Sequence, residues 1–172
     1  MKLEEAITTA LEYEGRVHRT YSEAAENADN DVAQRVFSTL RDEEAEHIKY
    51  LRDRLDEWRS TGKVTVAELE TVLVSKAEIE AGAAALRERL EGGGRQIRGT
   101  EFESLKKALD VEVETSTFYT KMVASLDGDE RRLFERFVEI EEGHVAIVQA
   151  EMDMVSGTGF WFDTAEFSLE KA

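Results

Sequence analysis

The chain has 172 residues, no Pro, no Cys and a formal net charge of −16. That length suits a single domain with a real core, and the lack of Cys excludes disulfides, Cys-bound zinc, iron–sulfur clusters and thiol catalysis. So acidic a balance argues against nucleic acid or an anionic membrane as partner, because phosphate binding needs clustered Lys and Arg.

With 41% hydrophobic and 35% charged residues and nothing to break a helix, the composition predicts an all-α protein. The acidic start, Met1-Lys2-Leu3-Glu4-Glu5-Ala6-Ile7, has no apolar signal core. No run approaches the roughly 18 apolar residues of a membrane span. The expectation is a soluble cytoplasmic protein.

Helical periodicity sets out the elements in order. A first helix is predicted over about 3–28, with Ile7, Leu11, Glu14, Val17, Tyr21 and Ala25 on one stripe. A second, over about 30–59, carries Val36, Leu40, Glu44, His47, Leu51 and Leu55, and Ser60-Thr61-Gly62 stops it. A connecting helix is predicted over 65–91, with Leu69, Val72, Ile79, Ala83, Leu86 and Leu90 on one side and Gly92-Gly93-Gly94 behind it. Thr100-x-x-Glu103 reads as a capping box opening a third bundle helix over about 101–126, with Leu105, Leu109, Glu112, Ser116, Tyr119 and Val123 in line. After the short turn Asp127-Gly128-Asp129, a fourth covers about 129–155 with Phe134, Phe137, Glu141, His144, Val148 and Met152. Gly157-Thr158-Gly159 then releases an aromatic tail, Phe160-Trp161-Phe162, followed by Phe167 and Leu169. Two short links and one long one describe a four-helix bundle with a single long crossover, containing an extra helix, between bundle helices two and three. The bundle domain is placed at 1–156, with the tail at 157–172 docking on it or on a neighbouring subunit.

One pattern occurs twice. Ala10-Leu11-x-x-Glu14 leads seven residues on to Tyr21, and Glu44-x-x-His47 follows; Ala108-Leu109-x-x-Glu112 leads seven on to Tyr119, and Glu141-x-x-His144 follows. The two Glu of each half stand 30 and 29 residues apart. In so acid-rich a chain, Glu-x-x-His alone arises readily by accident. The matched context carries the signal, together with the fact that all six residues fall on the apolar stripe of their own helix. A core-facing carboxylate without a partner costs many kcal/mol, so four of them on four helices call for cations. Residues i and i+3 share a helix face, and each Glu-x-x-His can therefore offer an oxygen and a nitrogen to one ion. Four carboxylates balance two divalent cations with both His neutral. Mixed oxygen and nitrogen ligands with open positions suit iron or manganese better than magnesium, with zinc as a further alternative. Glu14, Glu44, His47, Glu112, Glu141 and His144 are the expected ligands.

Around them, Tyr21 and Tyr119 are either ordinary core residues or hydrogen-bonding neighbours of the ligands with a redox role. His18 reads as structural or surface. Glu43, Glu46, Glu139 and Glu142 are expected on solvated faces, and Glu114, two residues past Glu112, is turned away from the site.

On Glu14 with Tyr21, Glu44-x-x-His47, Glu112 with Phe118-Tyr119, and Glu141-x-x-His144, residues 5–155 resemble the ferritin-like superfamily, and within it the rubrerythrin-type diiron proteins. The resemblance implies Glu44 and Glu141 as bridging ligands, with Glu14, Glu112, His47 and His144 terminal. Three departures stand out: no four-Cys rubredoxin domain, Thr115 where rubrerythrins commonly carry a further carboxylate, and a longer crossover. The resemblance implies reduction of hydrogen peroxide or dioxygen at two iron ions, with electrons from a separate donor such as a rubredoxin, in a homo-oligomer, a dimer first. Ferroxidase or iron-handling activity is the alternative, and a metal-independent structural or partner-binding bundle the third reading.

Overall fold

All four bundle helices form within three residues of where their stripes place them. In the computed structural model, which describes residues 2–89, 99–158 and 161, α1 covers Leu3–Asn27, α2 Asp31–Thr61, α3 Lys76–Arg89, α4 Thr100–Ser125 and α5 Gly128–Thr158. No strand occurs among the described residues. No helix there is long and apolar enough to cross a membrane.

The turns follow from local chemistry. Asn30 caps α2, its side-chain oxygen accepting the N–H groups of Val32 at 2.8 Å and Ala33 at 3.2 Å. At the other end of α2, Gly62 turns left-handed (φ 67°) and its N–H closes on the Trp58 carbonyl at 2.8 Å, a conformation that costs a glycine little. Gly128, at φ 59°, makes the tight link from α4 to α5. Replacing Asn30 by Ala should cost about 1 kcal/mol and lower the melting midpoint by about 2–4 °C; a midpoint unmoved in calorimetry would show that the cap is dispensable.

α1 packs on α2 and on α4, α4 packs on α5, and α3 rests against α5. The core is split in two. One apolar cluster gathers Val17 and Tyr21 of α1, Phe37 and Leu40 of α2, Leu105 and Ala108 of α4, and Ile147 and Val148 of α5. The other gathers Ile7 and Ala10, Leu51 and Leu55, Phe118 and Tyr119, and Phe134 and Phe137. On every one of these helices the two sets are separated by the same interruption: Glu14, then Glu44 with His47, Glu112, and Glu141 with His144. A polar layer thus crosses the bundle between two hydrophobic ones.

Three sequence expectations fail. The connecting helix begins at Lys76 rather than at 65. Residues 63–75 instead form an irregular strap rich in the β-branched side chains that helices tolerate least. Its backbone finds side-chain partners in place of a helical ladder. Arg54 donates to the Thr65 carbonyl at 2.9 Å, Tyr50 to that of Ala67 at 2.8 Å and Arg136 to that of Leu69 at 3.2 Å. Val72, expected to face inward, is 76% exposed, while Leu69, Ile79 and Ala83 are buried; the side chain of Leu86, Leu90 and Gly92-Gly93-Gly94 lie outside the described residues.

The capping box at Thr100 does not form. Gly99 is the N-cap, no side chain caps it, and its carbonyl accepts the Glu103 N–H at 3.2 Å. Glu101 is the useful acid there, accepting the Asn30 N–H at 2.8 Å and the Trp161 indole N–H at 3.1 Å. Finally, α5 continues through Gly157 to Thr158. Trp161 meets Phe37 edge-on at 5.5 Å; Phe160, Phe162, Phe167 and Leu169 lie outside the described residues.

Candidate metal centre

The periodicity that put Glu14, Glu44, His47, Glu112, Glu141 and His144 on apolar stripes also brings them to one level. All six side chains are fully buried. Ligand atoms of Glu14, Glu44, His47 and Glu141 lie within 4.8 Å of one another, as do those of Glu44, Glu112, Glu141 and His144. The two groups share Glu44 and Glu141 and differ in one Glu and one His each. Each group could hold a cation, and Glu44 and Glu141 are within reach of both positions.

The imidazoles are turned to suit it. The Nδ1 of His47 sits 3.2 Å from Glu14 Oε2, 3.2 Å from Glu44 Oε2 and 3.4 Å from Glu141 Oε1. The Nδ1 of His144 sits 2.8 Å from Glu44 Oε1 and 3.6 Å from Glu112 Oε1. The rings lie parallel, 6° apart in plane with centroids 5.4 Å apart. Both oxygens of Glu44, both of Glu141 and Oε2 of Glu112 have no hydrogen bond of good geometry. Buried carboxylate oxygens left in that condition are rare and costly, and divalent cations would satisfy them. The residues present fit a pair of such ions.

The electrostatics agree. Burial pushes the Glu14 carboxyl well above its ordinary range, and repulsion from Glu141 and Glu44 adds to it. Burial likewise pushes Glu112 up to about 8, although His144 pulls the other way. Burial acts on Glu44 in the same sense, but the imidazoles of His47 and His144 outweigh it and hold this carboxyl well below the usual range. Both His are raised: burial alone would lower them, yet the carboxylates around them prevail. Without cations, the layer compensates its charge by holding protons.

Tyr21 and Tyr119 reach across the bundle. The Tyr119 hydroxyl donates to Glu14 Oε1, and the Tyr21 hydroxyl donates to Glu112 Oε1. Each tyrosine of one helix pair thus orients a carboxylate of the other. Burial next to those carboxylates raises both phenols well above their ordinary range, so they remain protonated donors. Thr115 is buried one turn past Glu112, its hydroxyl turned back to the Val111 carbonyl at 2.8 Å.

One expectation is overturned here. Glu43 is not on a solvated face: it is 7% exposed, and its carboxylate accepts from the Thr71 hydroxyl and, at 3.0 Å, from the Val72 N–H. The reason is tertiary, since the strap lies over that side of α2. Glu46, Glu139 and Glu142 are exposed as expected, His18 is half-buried outside the site, and Glu114 is exposed with Arg16 at 3.1 Å. Glu151, two turns beyond His144, is fully buried and belongs to neither ligand group. Its place on the same stripe as His144 was the available signal.

Residues 3–152 match the family model described as Rubrerythrin. No curated protein and no solved structure matches the chain.

Proposed function

The chain belongs to the rubrerythrin family, and from that premise we propose that it is a non-haem diiron-carboxylate redox protein reducing hydrogen peroxide, or dioxygen, with electrons from a separate donor. The observation that carries the reading is the pair of overlapping four-residue groups sharing Glu44 and Glu141. Glu44 and Glu141 would bridge the two positions, Glu14 with His47 would complete one, and Glu112 with His144 the other. Four carboxylates and two neutral imidazoles leave no net charge around two divalent cations.

Two ferrous ions held there would supply the two electrons needed, with two protons, to convert hydrogen peroxide to two molecules of water. The chain does the rest. With ions bound, His47 and His144 would present Nδ1 as neutral donors, which favours iron, with manganese or zinc as competitors, over magnesium. Tyr119 and Tyr21 hold Glu14 and Glu112 in orientation through their O–H groups and keep a proton on each phenolic oxygen beside the reacting centre. The apolar clusters above and below the layer exclude bulk water. Re-reduction falls to a separate protein such as a rubredoxin, since the chain has no Cys with which to carry an electron-transfer iron. A homodimer is the proposed assembly.

Rapid mixing tests the reaction. Iron-loaded, fully reduced protein should be oxidised far faster by hydrogen peroxide than by dioxygen, followed through the visible absorbance of the ferric product. Equal or faster oxidation by dioxygen, with uptake of many irons per chain, would transfer the assignment to ferroxidase and iron storage.

A further inference from the structure

We propose that Glu43 is a positioning residue for the metal centre: clamped by the strap, it takes the outer N–H groups of His47 and His144 and so aims their inner nitrogens at the ions. This rests on the diiron reading above. The carboxylate lies next to Glu44 in sequence, one step of about 100° around α2, and is grouped with the same two imidazoles but with none of the other four Glu.

A carboxylate oxygen of Glu43 lies within 4.8 Å of a ring nitrogen of His47 and of one of His144. The Nδ1 atoms face the four-Glu layer, that of His144 at 2.8 Å from Glu44 Oε1 and that of His47 at 3.2 Å from Glu44 Oε2. Both Nε2 atoms are fully buried and make no hydrogen bond in this structure, to Glu43 or to any other group, and His144 Nδ1 is likewise unpaired. An imidazole that ligates through one nitrogen carries a proton on the other, and a buried N–H without an acceptor is costly. Glu43 is the carboxylate placed to accept it, and the parallel stacking of the two rings lets one carboxylate serve both.

Glu43 is itself fixed. Thr71 donates its hydroxyl to one oxygen and Val72 its N–H to the other. Both donors belong to the 63–75 strap, so the crossover would act through Glu43 on the imidazoles of α2 and α5. On its far side Glu43 lines a cavity of about 430 Å³ together with Glu46, Tyr50 and Leu69.

The test uses the full chain and cobalt(II) as probe. Native protein should bind two ions, and its cobalt-loaded NMR spectrum should show two paramagnetically shifted imidazole N–H signals that exchange slowly with water. Glu43→Gln keeps the size and can still accept the Val72 N–H, with the bond to the Thr71 hydroxyl reversed, but removes the charge. It should weaken cobalt binding roughly 10- to 100-fold and speed exchange of those two signals, with far-ultraviolet circular dichroism unchanged. Thr71→Val, which frees the carboxylate without altering it, should move both readouts in the same direction by less. Unchanged affinity and unchanged N–H exchange in Glu43→Gln would overturn the proposal while native protein still bound two ions. A third cobalt bound by native protein and lost in Glu43→Gln would make Glu43 a ligand, and would overturn it as well. Native protein binding no cobalt would instead sink the metal reading itself.

Discussion

Replacing Glu44 by Ala should empty both metal positions, whereas replacing Glu14 by Gln should empty only one. Glu44 contributes to both four-residue groups, and Glu14 to the one that contains His47. Loss of a shared carboxylate removes a ligand from each ion and one of the four negative charges that compensate them both. Loss of Glu14 leaves Glu44, Glu112, Glu141 and His144 intact around the second position. The same reasoning pairs Glu141→Ala with Glu44→Ala, and Glu112→Gln with Glu14→Gln. Metal analysis after loading and desalting should read two ions per chain for native protein, none for the shared pair and one for the others. Glutamine at position 14 still offers Tyr119 an acceptor, so the second position should not be disturbed through that contact. Two ions retained by Glu44→Ala, or none by Glu14→Gln, would contradict the shared-ligand arrangement.

How much of this was legible depends on whether the determining contact is local. The burial of the six Glu and His residues could be read because a buried helix face repeats every three to four residues, and a carboxylate on it violates that pattern visibly. Glu43 could not. Its burial is imposed by Thr71 and Val72, which reach it from 28 and 29 residues away. The strap reads as helix in the sequence for the same reason, since Arg54, Tyr50 and Arg136 satisfy its carbonyls from other elements. The repeated Tyr at +7 was visible, but its partner was not. Seven helical residues climb about 10.5 Å, which places Tyr21 and Tyr119 on opposite sides of the polar layer. Each therefore meets the long side chain of the other helix pair's Glu rather than its own. The capping box failed at a single residue: Glu101, not Glu103, had Asn30 and Trp161 within reach.

Between about pH 5 and pH 8 the metal-free protein should melt at steadily lower temperature as the pH rises, and the metal-loaded protein should not. Glu112 carries the sign. Its folded carboxyl titrates at about 8 against an ordinary 4.5, so above pH 4.5 the folded state holds a proton that the unfolded chain has released. Folding is then penalised increasingly with pH until about pH 8, by about 1 kcal/mol per unit from this group. Glu14 is raised too, by burial first and by Glu141 and Glu44 second, and acts in the same direction. His47 and His144 reinforce it. Their folded values are raised, so the stability they contribute is complete below their ordinary 6.5 and is lost as the pH climbs through the folded value. Glu44 opposes the trend only in acid, because its lowered value gives stability already complete above 4.5. For a chain of this size 1 kcal/mol corresponds to about 2–4 °C, so Glu112 alone should lower the midpoint by that much per pH unit. Bound cations replace the held protons as compensating charge, which removes the penalty and adds the free energy of binding to the folded state. The gap between chelator-treated and metal-loaded melting curves should therefore widen from pH 6 to pH 8, and Glu112→Gln should flatten the metal-free slope. A metal-free midpoint that stays level or rises over that interval would mean that the four carboxylates are not forced to share their burial, and the charge argument for two cations would fall with it.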